Sequence, residues 1–418
     1  MGISRRLIFS FAAAAMLAAA APAAADPVTI RMPSWWFGEP SNKDWLAEAI
    51  KAFEAANPDI KIEGYNVPYA EYADQILVQM SSGNAPDIVH LLNMNIGDFL
   101  RVDMLRPLDD YMKGGDIMPD TYTPAQFQSP IVVDGKTYGV IHMIANYIPF
   151  YNAKLLADAG YDRFPETPDA FAAMVEKLTH PPQQFGYAAM VKPGSYVQTY
   201  MDVAQWVIAN GGAFATDGKP TIDAPKNVEA ITLFKKLFDA GVMPRDVDKP
   251  TYRSMWWNGK VAVLFDGSWM MGFARTNNPA IEADLKTAPM PWPGHRTASA
   301  FQIWAIPKGA KHPDEAYKFI AFLQSREWQQ RMVAMTNAVT PRRNSLPDGY
   351  LEKNPWFAPF QEAADKYSVS IMPAGLEMYG NEVLKIIADH VETILYRNAP
   401  VDEELAAAQA EIEALIAQ

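Results

Sequence analysis

The 418-residue chain predicts an α/β fold. Short β-branched runs alternate with amphipathic helical stretches from Val28 onward, the pattern of a mainly parallel sheet flanked by helices. With 49% apolar and 20% charged residues, the chain has a soluble globular balance and the length for two or three full cores.

Val28-Thr29-Ile30-Arg31-Met32 reads as the first strand. Ser41-Asn42-Lys43-Asp44 offers a capping box, and Trp45, Leu46, Ala49, Ile50 and Phe53 then recur at helical spacing. Asn57-Pro58-Asp59 ends that helix, and residues 60–63 alternate as a half-buried strand. A second helix is expected over residues 69–81, closed by Gly83, with a buried strand over 87–92. Asp134-Gly135 sits between the apolar arms of residues 132–140 as a hairpin turn. Helices follow around residues 168–178, 196–210 and 225–240, then a strand over 261–265. Residues 313–336 read as one long amphipathic helix and 401–417 as the last.

Residues 1–25 carry Arg5-Arg6, an apolar run from Leu7 to Ala21, and Pro22-Ala23-Ala24-Ala25, the three parts of a secretory signal peptide. The run is shorter than the roughly 20 residues a membrane helix needs, so a mature chain beginning at Asp26 is expected, soluble and periplasmic. Its charge, -12 from 36 basic and 48 acidic residues, disfavours nucleic acid and anionic lipid as partners. No cysteine is present, which excludes disulfides, thiol nucleophiles, thiolate metal sites and a lipidated cysteine anchor.

Familiar catalytic devices are also missing. Gly212 to Gly218 with Lys219-Pro220 has neither the spacing nor the Ser/Thr of a phosphate loop, and no Gly-x-Gly-x-x-Gly occurs. The six histidines are scattered, so no metal site is expected. Asp266-Gly267-Ser268-Trp269 only superficially resembles a nucleophile elbow. No catalytic residue and no cofactor are assigned.

Polar-aromatic clusters fall where α/β sheets bind ligands, at strand ends: Trp35-Trp36-Phe37-Gly38-Glu39 after the first strand, and Asp266-Gly267-Ser268-Trp269 after Phe265, with Trp256-Trp257 upstream. A sugar, with apolar C–H faces and a rim of hydroxyls, needs flat indoles and polar partners of this kind. Further motifs recur in a defined order: Phe53-Glu54-Ala55-Ala56-Asn57-Pro58-Asp59, Ser82-Gly83-Asn84-Ala85-Pro86-Asp87, Leu105-Arg106-Pro107-Leu108-Asp109, Asp134-Gly135-Lys136-Thr137-Tyr138-Gly139, Asn258-Gly259-Lys260-Val261-Ala262, Pro289-Met290-Pro291 and His312-Pro313-Asp314-Glu315-Ala316. In these motifs the chain resembles the family 1 extracellular solute-binding proteins of ABC-type sugar importers, maltose-type periplasmic binding proteins among them.

The resemblance implies a two-lobed, type II-like periplasmic binding fold with hinge crossings near residues 140, 300 and 340. Residues 26–140 plus 300–340 would form the N-terminal lobe, and 141–299 plus 341–418 the C-terminal lobe. It further implies a monomer that binds a carbohydrate between the lobes and delivers it to an inner-membrane ABC permease. Matching motif positions gives Trp36, Glu39, Asn93, Asn146, Tyr196, Trp257, Asp266, Trp269, Phe301, Gln302 and Arg343 as candidate ligand contacts, with Arg343 expected as a buried guanidinium fork. Ser299-Ala300-Phe301-Gln302 replaces a glycine pair often found in the family. The alternative is a secreted glycan-active enzyme using two cleft carboxylates such as Glu39 and Asp266.

Overall fold

The computed structural model describes residues 27–118, 121–122 and 131–417. The expected signal segment lies outside them. In chain order the strands are β1 (Val28–Pro33), β2 (Ile60–Tyr65), β3 (Val89–Leu92), β4 (Val132–Val133), β5 (Lys136–Thr137), β6 (Val140–Asn146), β7 (Ile148–Asn152), β8 (Phe185–Ala188), β9 (Ala215–Thr216), β10 (Lys219–Pro220), β11 (Val261–Asp266), β12 (Leu285–Thr287), β13 (Thr297–Ala305) and β14 (Ser368–Ser370).

They build two main sheets. In the first, the nine-residue β13 runs antiparallel to β3 and β6, and its first three residues pair parallel with β14. The parallel β1–β2 pair adjoins it where the Asp87 and Ile88 N–H groups donate to the Arg31 carbonyl at 2.9 and 3.2 Å. The second sheet has the order β12-β7-β11-β8, and β11–β8 is its parallel pair. The sheets are therefore mixed, where the strand-helix alternation suggests mainly parallel ones. The chain leaves the first sheet along β6, passes Tyr147 into β7, and comes back along β13. A returning strand laid beside the outgoing one is necessarily antiparallel.

Helices cover both sheets. Pro40–Ala56 starts on a proline rather than on the expected capping box, because Pro supplies the first-turn φ and lacks only an N–H that has no helical partner there. Its buried stripe, Trp45, Leu46, Ala49 and Phe53, meets Arg326–Thr336, and the Trp45 indole N–H donates to the Trp328 carbonyl at 3.1 Å. The long helix read over 313–336 is broken into Pro313–Leu323 and Arg326–Thr336 by an extended Ser325. The break turns Trp328, Met332 and Val333 inward as a second stripe. Residues 134–135 form the predicted hairpin turn, with Asp134 and Gly135 both at positive φ as a type I′ turn requires.

The second sheet is covered by Pro168–Lys177, Tyr196–Ala209 and Pro225–Asp239, backed by Gly380–Tyr396 and Val401–Ile416. The first turn of Gly380–Tyr396 also meets Ile96–Arg101, the helix after β3. Gly97 lets the 3-10 turn just before Gly380–Tyr396 come close, since a Cβ there would lie 1.8 Å from the Glu377 carbonyl oxygen.

Candidate functional site

Between the two sheets lies a cavity of about 400 Å³, within the 300 to 1,000 Å³ range of small-molecule sites. Its floor is formed by Met143 and Ala145 from β6 and by Ala300 and Gln302 from β13. Side chains alternate along a strand, so Phe301 and Asn146 fall on the opposite faces.

The first wall is aromatic. After β1, Ser34 caps a 3-10 turn over Trp35–Gly38 by accepting the Trp36 N–H at 3.0 Å. That turn puts Trp35, Trp36 and Glu39 at the cavity with Tyr69. Trp35 meets Tyr69 edge-on with centroids 5.4 Å apart. Burial raises the Glu39 pKa above the usual carboxylate value, while Asn42, donating at 2.6 Å, and the Arg253 charge pull it down.

The opposite wall carries charge. Helix Lys249–Trp257 is capped by Asp248, whose carboxylate accepts the Thr251 N–H at 2.9 Å. Lys249 and Arg253, one turn apart, both face the cavity. Each is backed by a buried carboxylate. Arg253 holds Asp266 through two bonds, Nε–Oδ2 at 2.7 Å and Nη2–Oδ1 at 2.8 Å. Burial opposes a charged guanidinium there, but Asp266 keeps its pKa above the ordinary arginine value. Lys249 Nζ lies 3.6 Å from Asp202 and donates to Gln198 at 3.1 Å. Burial raises the Asp202 pKa, against the lowering effects of Lys249 and the Met190 N–H. Trp269 opens the next helix, meets Tyr147 edge-on at 6.2 Å, and lies over Gly267, where a Cβ would come 2.1 Å from the indole.

Of the eleven expected contacts, Trp36, Glu39, Trp269 and Gln302 line the cavity together. The other seven do not line it. Asn93 and Asn146 are fully buried and hold strands together: Asn93 Oδ1 accepts the Phe301 N–H at 3.1 Å, and Asn146 Oδ1 accepts the Ser299 and Ser368 hydroxyls at 2.6 and 2.8 Å. Phe301 is core. Tyr196 starts its helix, half-buried near Asp98, and Trp257 is half-buried at the end of its own. Asp266 is closed to solvent, its oxygens taken by Arg253 and by the Gly267 N–H at 2.8 Å.

Arg343, expected as a buried fork, is exposed. Its neighbour Arg342 is the buried one, pairing with Asp116 and donating to the Gln324 carbonyl at 3.1 Å. A bridge between Arg342 and Tyr122 fixes the parity, so the next residue turns outward. Reasoning from sequence missed Lys249 and Arg253, although two cations four apart behind an Asp N-cap were there to be read.

The structure of the sugar-binding protein MalE from Xanthomonas citri is similar at a TM-score of 0.79 and 20% identity, over 93% of this chain and 98% of that one. The Listeria monocytogenes substrate-binding protein Lmo0181, solved with cycloalternan, matches at a TM-score of 0.78 and 21% identity, over 94% and 100%. These likenesses establish the two-lobed α/β fold. The diacetylchitobiose-binding protein DasA of Streptomyces coelicolor is 26% identical over 75% of this chain and 73% of its own. The model of the bacterial extracellular solute-binding proteins matches residues 39–330, and with that match, over a fold built around an interlobe cavity, the chain belongs to the bacterial extracellular solute-binding protein family.

Proposed function

We propose that this protein is the carbohydrate-binding subunit of an ABC importer, capturing a mono- or oligosaccharide or a polyol in the cavity and handing it to an inner-membrane permease. The observation that carries this reading is the pairing of aromatic faces with a polar rim in one cavity. Trp269 and Tyr69, both partly open to it, suit the C–H faces of a sugar ring, with the buried Trp36 behind them. Gln198, Gln302 and Arg253 are at hand for its hydroxyls. Relatives named for binding oligosaccharides favour the same class of ligand.

The ligand leaves chemically unchanged in this reading. A glycosidase needs two carboxylates flanking the bond, and Glu39 is the one carboxylate among the described residues lining the cavity. The lobes are residues 26–140 with 300–340 and 141–299 with 341–418, closing on the ligand by rotation. Removal of residues 1–25 would leave a periplasmic monomer, and among the described residues no helix is long and apolar enough to cross a membrane.

Thermal unfolding against monosaccharides, maltooligosaccharides, chitooligosaccharides and polyols tests the proposal. A true ligand at 100 times its dissociation constant adds about 2.7 kcal/mol. Stabilisation by peptides or metal ions and by no carbohydrate would overturn the assignment, and chromatography showing cleaved sugar would favour the enzyme.

A further inference from the structure

Directly behind the aromatic wall, three strands bring two histidines together in the core. His90 on β3 and His142 on β6 are wholly buried, with their Nε2 atoms 2.9 Å apart. His90 stacks on Trp35 at 3.7 Å with planes 10° apart, and His142 stacks on Trp304 of β13 at 4.3 Å and 14°. Trp36 stands edge-on to both rings, at 5.5 and 4.9 Å. Trp35 and Trp36, two of the three tryptophans that line the cavity, therefore rest on imidazoles.

The two Nε2 atoms share one proton, since facing lone pairs or facing N–H groups at 2.9 Å would repel. Ser34 Oγ accepts the Trp36 N–H at 3.0 Å and is bonded to His90 Nδ1 at 2.8 Å. Whichever ring donates, the two are opposite tautomers, and among the described residues the buried His142 Nδ1 has no hydrogen-bond partner. Nothing there balances a positive charge: Tyr72, whose hydroxyl accepts the His90 backbone N–H at 2.7 Å, is the titratable neighbour. The uncharged Gln302 amide lies beside His90. Among the described residues no carboxylate, ammonium or guanidinium is bonded to either ring. A second proton on the pair would set N–H against N–H at 2.9 Å.

We propose that His90 and His142 are positioning residues of the cavity: a neutral imidazole pair, sharing one Nε2 proton, that fixes the ring planes of Trp35 and Trp36. The proposal rests on the cavity being the ligand site, but its test needs no ligand. Burial holding both rings well below the ordinary histidine pKa agrees with it.

Imidazole nitrogen NMR on the histidine-labelled mature chain tests the pair directly. Two of the six rings are expected to stay neutral between about pH 8 and pH 5, with a coupling across Nε2–H···Nε2 and opposite tautomers. Two pair rings that both protonate near pH 6.5, or that show the same tautomer without coupling, would overturn it. His142→Phe keeps the stack on Trp304 but removes both nitrogens, so the near-UV circular dichroism contributed by Trp35 and Trp36 should be lost while the far-UV signal stays. His142→Gln, which places an amide near the Nε2 position, should restore the near-UV bands. Unchanged bands in His142→Phe would reduce the pair to packing, and if that variant does not fold, the nitrogen spectrum of the wild-type chain still distinguishes a shared proton from two independent rings.

Discussion

The two walls of the cavity reach rigidity by opposite means. On the first, indoles and imidazoles stack in a core with no formal charge, locked by the chain of hydrogen bonds from Trp36 through Ser34 and His90 to His142. On the second, two cations stand at the surface of the cavity, each held by a carboxylate sunk behind it. The comparison teaches that a polar binding surface can be aimed either by shape or by charge. Shape tolerates salt and fails with acid, because imidazoles charge. Charge fails when one partner is removed, because the other is left buried and alone.

Four variants and a titration break or sharpen that contrast. Arg253→Ala leaves Asp266 buried without its partner and should destabilise the protein by about 3 to 5 kcal/mol in urea unfolding. Arg253→Met with Asp266→Leu should recover most of that loss, since replacing both partners with apolar groups is often near neutral. Trp36→Ala empties a fully buried site and should cost about 3 to 5 kcal/mol, and here no second change rescues it. Equal recovery in the two walls would erase the distinction.

Acid should act on the first wall. His90 and His142 are held neutral in the folded chain, while in the unfolded chain each takes a proton below about pH 6.5. The unfolded state then binds more protons, so stability is full above that pH and falls below it, by roughly 2.7 kcal/mol per pH unit for two rings. Asp98, pushed up to about 6 mainly by burial, works the other way. It keeps its proton in the folded chain at a pH where the unfolded chain has lost it, and softens the slope below about pH 6. Urea midpoints between pH 7.5 and 5 measure the balance, and a flat profile would show that the first wall does not depend on neutral imidazoles. The smallest effect is expected for Gly267→Ala, where the new methyl displaces the Trp269 indole and overpacking costs about 1 to 3 kcal/mol. Trp269 fluorescence should shift even where stability is little changed.

The motifs carried the architecture because each marks a local necessity: the Asp-Gly turn, the helical periodicity, the strand-end aromatics. They carried the site less evenly. Trp36, Glu39 and Trp269 stand at strand ends, where position along the chain implies position in space. Phe301 against Gln302, and Arg343 against Arg342, turn on the parity of a strand, and one residue of register exchanges core for surface. Asp266 does lie at the expected strand end, but its depth is set by Arg253, thirteen residues away in the preceding helix. The break at Ser325 is hidden in the sequence because both halves keep the same period, and only the facing helix Pro40–Ala56 sets the angle between them.

Strand β13 has a mechanical consequence. Thr297 to Ser299 are tied to β14, Gln302 to Ala305 are tied to β3, and the pairing with β6 slips between Gln302 and Ile303. On β13, a turning of one lobe against the other would be taken up between those ties, at Ala300 and Phe301, and Ala300 is part of the cavity floor. Under the rotation proposed above, a ligand seated there would sit on the fulcrum, the floor beneath it hardly moving while the far rims of both walls travel with the full length of the lever.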